Sequence, residues 1–196
     1  VGMHPHHAIR FDANKDLPFL RTFFSDPKCK AVGEIGLDYH YMQSPKEVQK
    51  EVFRSQLMLA KELQVPAVVH CREAIVDIRA ILEEVDYYNL VLHCCSEKWE
   101  DVVSLVEQGV HLSFTGIALF PKSDIIRETI RQCPLEKMMI ETDSPFLAPP
   151  PYRGKTNEPA FVRIIAESIA SLKGLEFSVF TDTVRGTTER FFRLLS

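Results

Sequence analysis

Glu34, His70, His93 and Asp143 each stand at or near the end of a short apolar run. Carboxylates and imidazoles at four such ends form a set of oxygen and nitrogen donors suited to a divalent metal. A catalytic ion needs that mixture, with positions left open for water and substrate. Each residue alone has a plainer reading, since a histidine ending a strand is more often structural. Burying Glu34 without a partner would cost free energy, so it must be paired. Four agreeing strand ends argue for one metal site. Cations stand near these ends. Arg72 lies two residues beyond His70, and Arg153 and Lys155 lie in a Pro-rich loop. Arginine can grip phosphate bidentately, although a solvated loop residue is the commoner case. His4 and His6, in His-Pro-His, could bind phosphate or metal, and His7 reads as exposed. In Asn157-Glu158-Pro159 the glutamate reads as a helix cap, while the asparagine has no assigned role. Cys71, Cys94 and Cys95 flank the histidines, where packing is favoured over a nucleophilic role.

The elements that must carry these residues follow a rhythm. Apolar runs at Lys30–Leu37, Val65–His70, Leu90–His93, Val110–Phe114 and Lys137–Thr142 alternate with amphipathic stretches. Helices are predicted over 45–64, 74–85, 97–108, 122–132, 159–173 and 176–194. The first is marked by Ser44, Pro45 and Glu47 as a capping box with proline at the first position. Its inward face is expected to hold Val48, Val52, Leu59 and Leu63. Gly109 should end the helix before it. Phe19, Phe23, Phe24, Phe191 and Phe192 are expected on helix faces in the core, and Trp99 partly exposed. Continuous apolar strands alternating with helices point to βαβ units and a parallel sheet, whose sites lie at the C-terminal strand ends. Val1 to Met3 could be the tail of a sixth strand. Five or six strands make either an open sheet or a barrel lacking its N-terminal part, because eight-stranded barrels usually need about 250 residues.

The 196 residues are expected to form a single domain, 1–196. With 23 basic and 27 acidic residues, the net charge is -4, which argues against broad electrostatic binding of nucleic acid. Any phosphate must then be held locally. Five cysteines without a CxxC pair suggest reduced thiols rather than a disulfide framework or thiolate zinc site. No long apolar run reads as a signal peptide or membrane span, so a cytoplasmic or nuclear protein without a membrane partner is expected.

Taken in order, Val1-Gly2-Met3-His4-Pro5-His6, Gly33-Glu34-Ile35-Gly36-Leu37-Asp38, His70-Cys71-Arg72-Glu73-Ala74 and Leu92-His93-Cys94 resemble motifs of the TatD family of metal-dependent deoxyribonucleases. So do Ser113-Phe114-Thr115-Gly116, Glu141-Thr142-Asp143-Ser144-Pro145, Arg153-Gly154-Lys155 and Asn157-Glu158-Pro159. The set covers essentially the whole chain. The resemblance implies an α/β fold, a TIM-type (β/α)8 barrel lacking roughly its first two and a half strands. It implies one to three divalent metals (magnesium, manganese or zinc), with Glu34, His70, His93 and Asp143 as ligands. It places Asp143 to take a proton from the attacking water, and Arg72 and the Arg153 loop to face phosphate. The implied activity is hydrolysis of phosphodiester bonds in DNA ends or single-stranded DNA, of the 3′-5′ exonuclease type. Family members open on a strand carrying His-x-His that supplies two more ligands, and no such strand is expected in this sequence, where His4-Pro5-His6 falls in a polar loop. Two alternatives stay open: an inactive truncated form acting as a binding protein, and a metal-dependent amidohydrolase on a small substrate.

Overall fold

The computed structural model describes residues 1–194; Leu195 and Ser196, the end of the expected domain, lie outside the described residues. Two compact units are present, Val1–His93 and a second beginning at Cys94.

In the first unit, β1 (Val32–Asp38), β2 (Ala67–Arg72) and β3 (Leu90–Leu92) pair in parallel. Gly36 stands opposite His70, and Asp38 opposite Arg72. Gly36 has φ 135, and a Cβ there would lie 2.0 Å from the His70 carbonyl oxygen, so only glycine lets the two strands close. Val1 lies beside β1: its ammonium donates to Ala31 O at 3.0 Å, and Gly33 N–H donates to Val1 O at 2.9 Å. The segment has strand-like bonding but is too short to be a strand.

Crossovers are made by α2 (Lys46–Leu63) and α3 (Ile75–Val85). The buried face of α2 is Gln49, Val52, Phe53, Gln56, Leu57, Leu59 and Ala60. Val48 and Leu63 are only half-buried. Fully buried Phe53 and Leu57 each contribute about 1.5–3 kcal/mol of transfer free energy. The expected capping box does not form. The helix N-cap is Pro45, and the Ser44 hydroxyl is engaged elsewhere: it accepts from Ile9 N–H and donates to His6 O, each at 3.1 Å. Ser44 thereby anchors a 3-10 helix, Pro5–Arg10, that begins at the His-Pro-His motif.

That short helix leads into α1 (Ala13–Phe23), capped by the Asp12 carboxylate accepting from Asn14 N–H. Only Leu20 of α1 is buried. Phe19 and Phe23 are exposed, Phe19 by 61%, which corrects their expected place in the core. They pack edge to face on each other instead.

In the second unit, β4 (His111–Phe114) and β5 (Met138–Ile140) pair in parallel. Helices α4 (Trp99–Glu107), α5 (Asp124–Gln132), α6 (Val162–Lys173) and α7 (Phe177–Phe191) surround them in sequence. Gly109, with φ 116, follows α4 as expected. Phe191 is buried and Phe192 half-buried. The Lys173 ammonium donates to the carbonyls of Ile130, Arg131 and Cys133, satisfying the end of α5. Among the described residues, no helix is long and apolar enough to cross a membrane.

Candidate metal centre

The first unit gathers most of the expected site residues, although Glu34 stands third of seven in β1 and not at its C-terminal end as expected. Glu34 rises from β1, His70 from β2, and His93 follows β3. Three imidazoles converge on one carboxylate oxygen. Glu34 Oε1 lies 2.6 Å from His93 Nε2, 2.9 Å from His70 Nδ1 and 3.4 Å from His4 Nε2. Burial raises the pKa of Glu34, but its bonds with His4, His70 and His93 together outweigh burial and hold it well below the usual carboxylate range.

Asp38, which sequence reasoning did not assign, is the second organising carboxylate and is fully buried. Its Oδ1 accepts from the backbone N–H groups of His40 (3.0 Å) and Tyr41 (2.8 Å). Its Oδ2 lies 2.9 Å from His6 Nε2 and 3.0 Å from His70 Nε2. Burial raises its pKa; the Tyr41 N–H and the two imidazoles outweigh that and keep it ionised. Gln49 fixes its backbone from both sides, donating to Asp38 O and accepting from Asp38 N–H. Strand alternation could have revealed Asp38, since Glu34, Gly36 and Asp38 share one periodicity along β1.

Histidine tautomers follow from these partners. A neutral His70 that donates from Nε2 to Asp38 presents a bare lone pair at Nδ1, facing Glu34 Oε1 at 2.9 Å. Two lone pairs at that distance repel unless a cation stands between them. The arrangement therefore suits a divalent ion beside Glu34 and His70, with Asp38 as the carboxylate that orients the His70 imidazole. His4, Glu34 and His70 offer atoms within 4.8 Å of one another. His4 differs, because its Nδ1 accepts from His6 N–H at 3.2 Å and the proton then sits on Nε2. That makes His4 a hydrogen-bond donor towards an anion. Arg72 is exposed, with its guanidinium 4.8 Å from the centre of the Tyr41 ring.

In the second unit, Asp143 occupies the turn after β5, with φ 54. Arg153 is exposed in the Pro-rich loop, its guanidinium 4.4 Å from the centre of the Phe120 ring. Glu158 takes the N-cap position of the 3-10 helix Pro159–Phe161, as expected, but its side chain makes no cap bond. Asn157 is a buried polar residue of that loop. Burial pushes the Cys95 thiol up to about 12, which removes it as a nucleophile at neutral pH.

Comparison with known proteins gives the family. The TatD related DNase family model matches residues 1–193. An uncharacterized metal-dependent hydrolase of Bacillus subtilis, YabD, is 38% identical over 196 residues, covering 99% of this chain and 76% of the relative. The 3′-5′ ssDNA/RNA exonuclease TatD of Pantoea ananatis is 31% identical, covering 100% of this chain and 77% of its own length. The crystal structure of YJJV, a TATD homolog from Escherichia coli K12, superposes with a TM-score of 0.91 at 23% identity. It covers 98% of this chain and 75% of that one. This likeness establishes the α/β, TIM-type parallel fold that the resemblance implied. On the family model and the identity to its relatives, the chain belongs to the TatD related DNase family.

Proposed function

We propose that this chain is a metal-dependent hydrolase of phosphodiester bonds in DNA, removing nucleotides from the 3′ end of single strands. The observation that carries this reading is the convergence of three imidazole nitrogens on Glu34 Oε1, beside an oriented His70. The name of the Pantoea relative supports the direction and the single-stranded substrate.

Glu34, His70 and His93 hold one ion of an expected one to three, with magnesium, manganese and zinc all matching oxygen and nitrogen donors. Such an ion, when bound, supplies positive charge against the phosphoryl oxygens and acidifies water. Asp38 keeps His70 in the tautomer that ligates. Asp143 would help hold the metal and accepts the proton of the attacking water as the new P–O bond forms; the P–O3′ bond breaks and O3′ leaves as a hydroxyl that takes its proton from solvent. The products are a 5′-nucleotide and a strand shorter by one residue. His4 Nε2–H, His6, Arg72 and Arg153 hold phosphate oxygens.

A 5′-labelled single-stranded oligodeoxynucleotide tests this directly. Stepwise shortening should require magnesium or manganese, stop with EDTA, and fall by about 10²–10⁴-fold in Asp143→Ala, the range for losing a general base. Turnover of amides or lactones instead, with the oligonucleotide left intact, would move the reading to an amidohydrolase. Folded protein inert to both would leave a binding protein.

A further inference from the structure

Asn157 is the most firmly held polar side chain of the Pro-rich loop, at 3% exposure. Its amide donates to the carbonyls of Thr142 at 2.6 Å and Phe146 at 2.5 Å. Its backbone N–H donates to Pro145 O at 3.0 Å, and its Oδ1 accepts from Glu158 N–H at 2.9 Å. Thr142 and Phe146 bracket Asp143. Inside the bracket, Phe146 N–H donates to Asp143 O at 2.8 Å, and Ser144 N–H to Thr142 Oγ1 at 3.3 Å.

Asp143 itself sits in the left-handed region, with φ 54. A residue with a Cβ occupies that region at a steric cost. Such backbones persist only where the surroundings over-determine them, and they gather at functional sites. Here both N–H groups of one buried amide serve two carbonyls of the same turn. Shape complementarity alone would not require an amide, and an apolar side chain would leave both carbonyls short of a donor. The same asparagine belongs to the loop that carries Arg153.

We infer that Asn157 is a positioning residue: it clamps the Thr142–Phe146 turn in the one conformation that fixes the direction of the Asp143 carboxylate. The inference rests on the role given to Asp143 under the proposed function. Asn157→Asp is nearly isosteric and keeps Oδ1, but turns an oxygen towards two carbonyls that need a donor. Asn157→Ser shortens the side chain and removes both amide bonds without adding charge.

The experiment is a double-mutant cycle on the full chain, with Asn157→Asp, Asp143→Asn and the pair. Its readouts are kcat and KM on the single-stranded oligodeoxynucleotide, Mn2+ affinity by electron paramagnetic resonance, and Tm. Asn157→Asp should lower kcat by about 10–100-fold with KM little changed, the usual consequence of disturbing a supporting residue. Mn2+ binding should weaken in the same variant. In the Asp143→Asn background the second substitution should cost nothing further, because it acts through Asp143. A merely structural residue would give equal losses in both backgrounds, and that result overturns the inference, as does unchanged kcat and Mn2+ affinity. Should Asn157→Asp not fold, Asn157→Ser takes its place with the same two criteria. Full activity of Asp143→Asn alone would sink the Asp143 role and this inference with it. An impaired Asp143→Asn beside a silent Asn157→Asp sinks only the clamp.

Discussion

Imidazoles in the two units meet opposite surroundings. In the first, His4, His70 and His93 face Glu34, and His6 and His70 face Asp38. In the second, His111 lies within β4 against the Phe191 ring, 4.8 Å between centres. Burial, and then the charge of Lys137, push its pKa down to about 4. One set is gathered around two carboxylates, and the other imidazole is kept neutral. The residue type is shared, so the carboxylate within reach is what separates the proposed metal site from a core position.

Three changes would break or sharpen that contrast. Glu34→Gln should have the largest effect, because it removes the charge on which three rings converge. Metal affinity measured by titration calorimetry should fall by more than about 10²-fold, exceeding the range for residues behind a ligand. Retained tight binding would remove Glu34 from the centre. Asp38→Asn should come next. It keeps an oxygen for the His40 and Tyr41 amides but turns an NH2 group towards the His70 ring, so affinity should fall by about 10–100-fold. If affinity is unchanged, Asp38 only packs.

The smallest effect belongs to His111. Its folded pKa lies below the ordinary histidine value, so the unfolded chain binds more protons between pH ~6.5 and ~4. Its contribution is therefore fully present above pH ~6.5 and is lost as pH falls through that window. After discounting for partial exposure, the loss should be about 1–2 kcal/mol. Urea midpoints at neutral and acid pH for the parent and His111→Phe would show it. Parallel pH profiles for the two proteins would mean that His111 is charged when folded.

The strands were legible because parallel strands buried on both faces must be continuously apolar, and Glu34, His70 and His93 stood out because they interrupt or end that apolarity, Glu34 from within β1. Asp38 was missed for the reason that it lies one alternation beyond Gly36, where the apolar run had already ended. Ser44 shows the limit of local patterns. Its sequence context fits a capping box, yet its hydroxyl bonds to residues some 35 positions away, a partner no local window contains. Phe19 and Phe23 illustrate the converse, since aromatic type alone does not decide burial. Asn157 could not be assigned because its partners are carbonyls, which every residue possesses.

The closeness of β1 to β2 at Gly36 also bears on how variants of this protein should be read. Any side chain there would overlap the His70 carbonyl oxygen, 2.0 Å from where its first carbon must sit. A saturation library selected for folding should return glycine alone at position 36, and even alanine should be depleted. Were a variant at this position met in a genome, it would act on the metal centre at second hand: the strand shifts, His70 follows, and a substitution bearing no reactive group disables the chemistry.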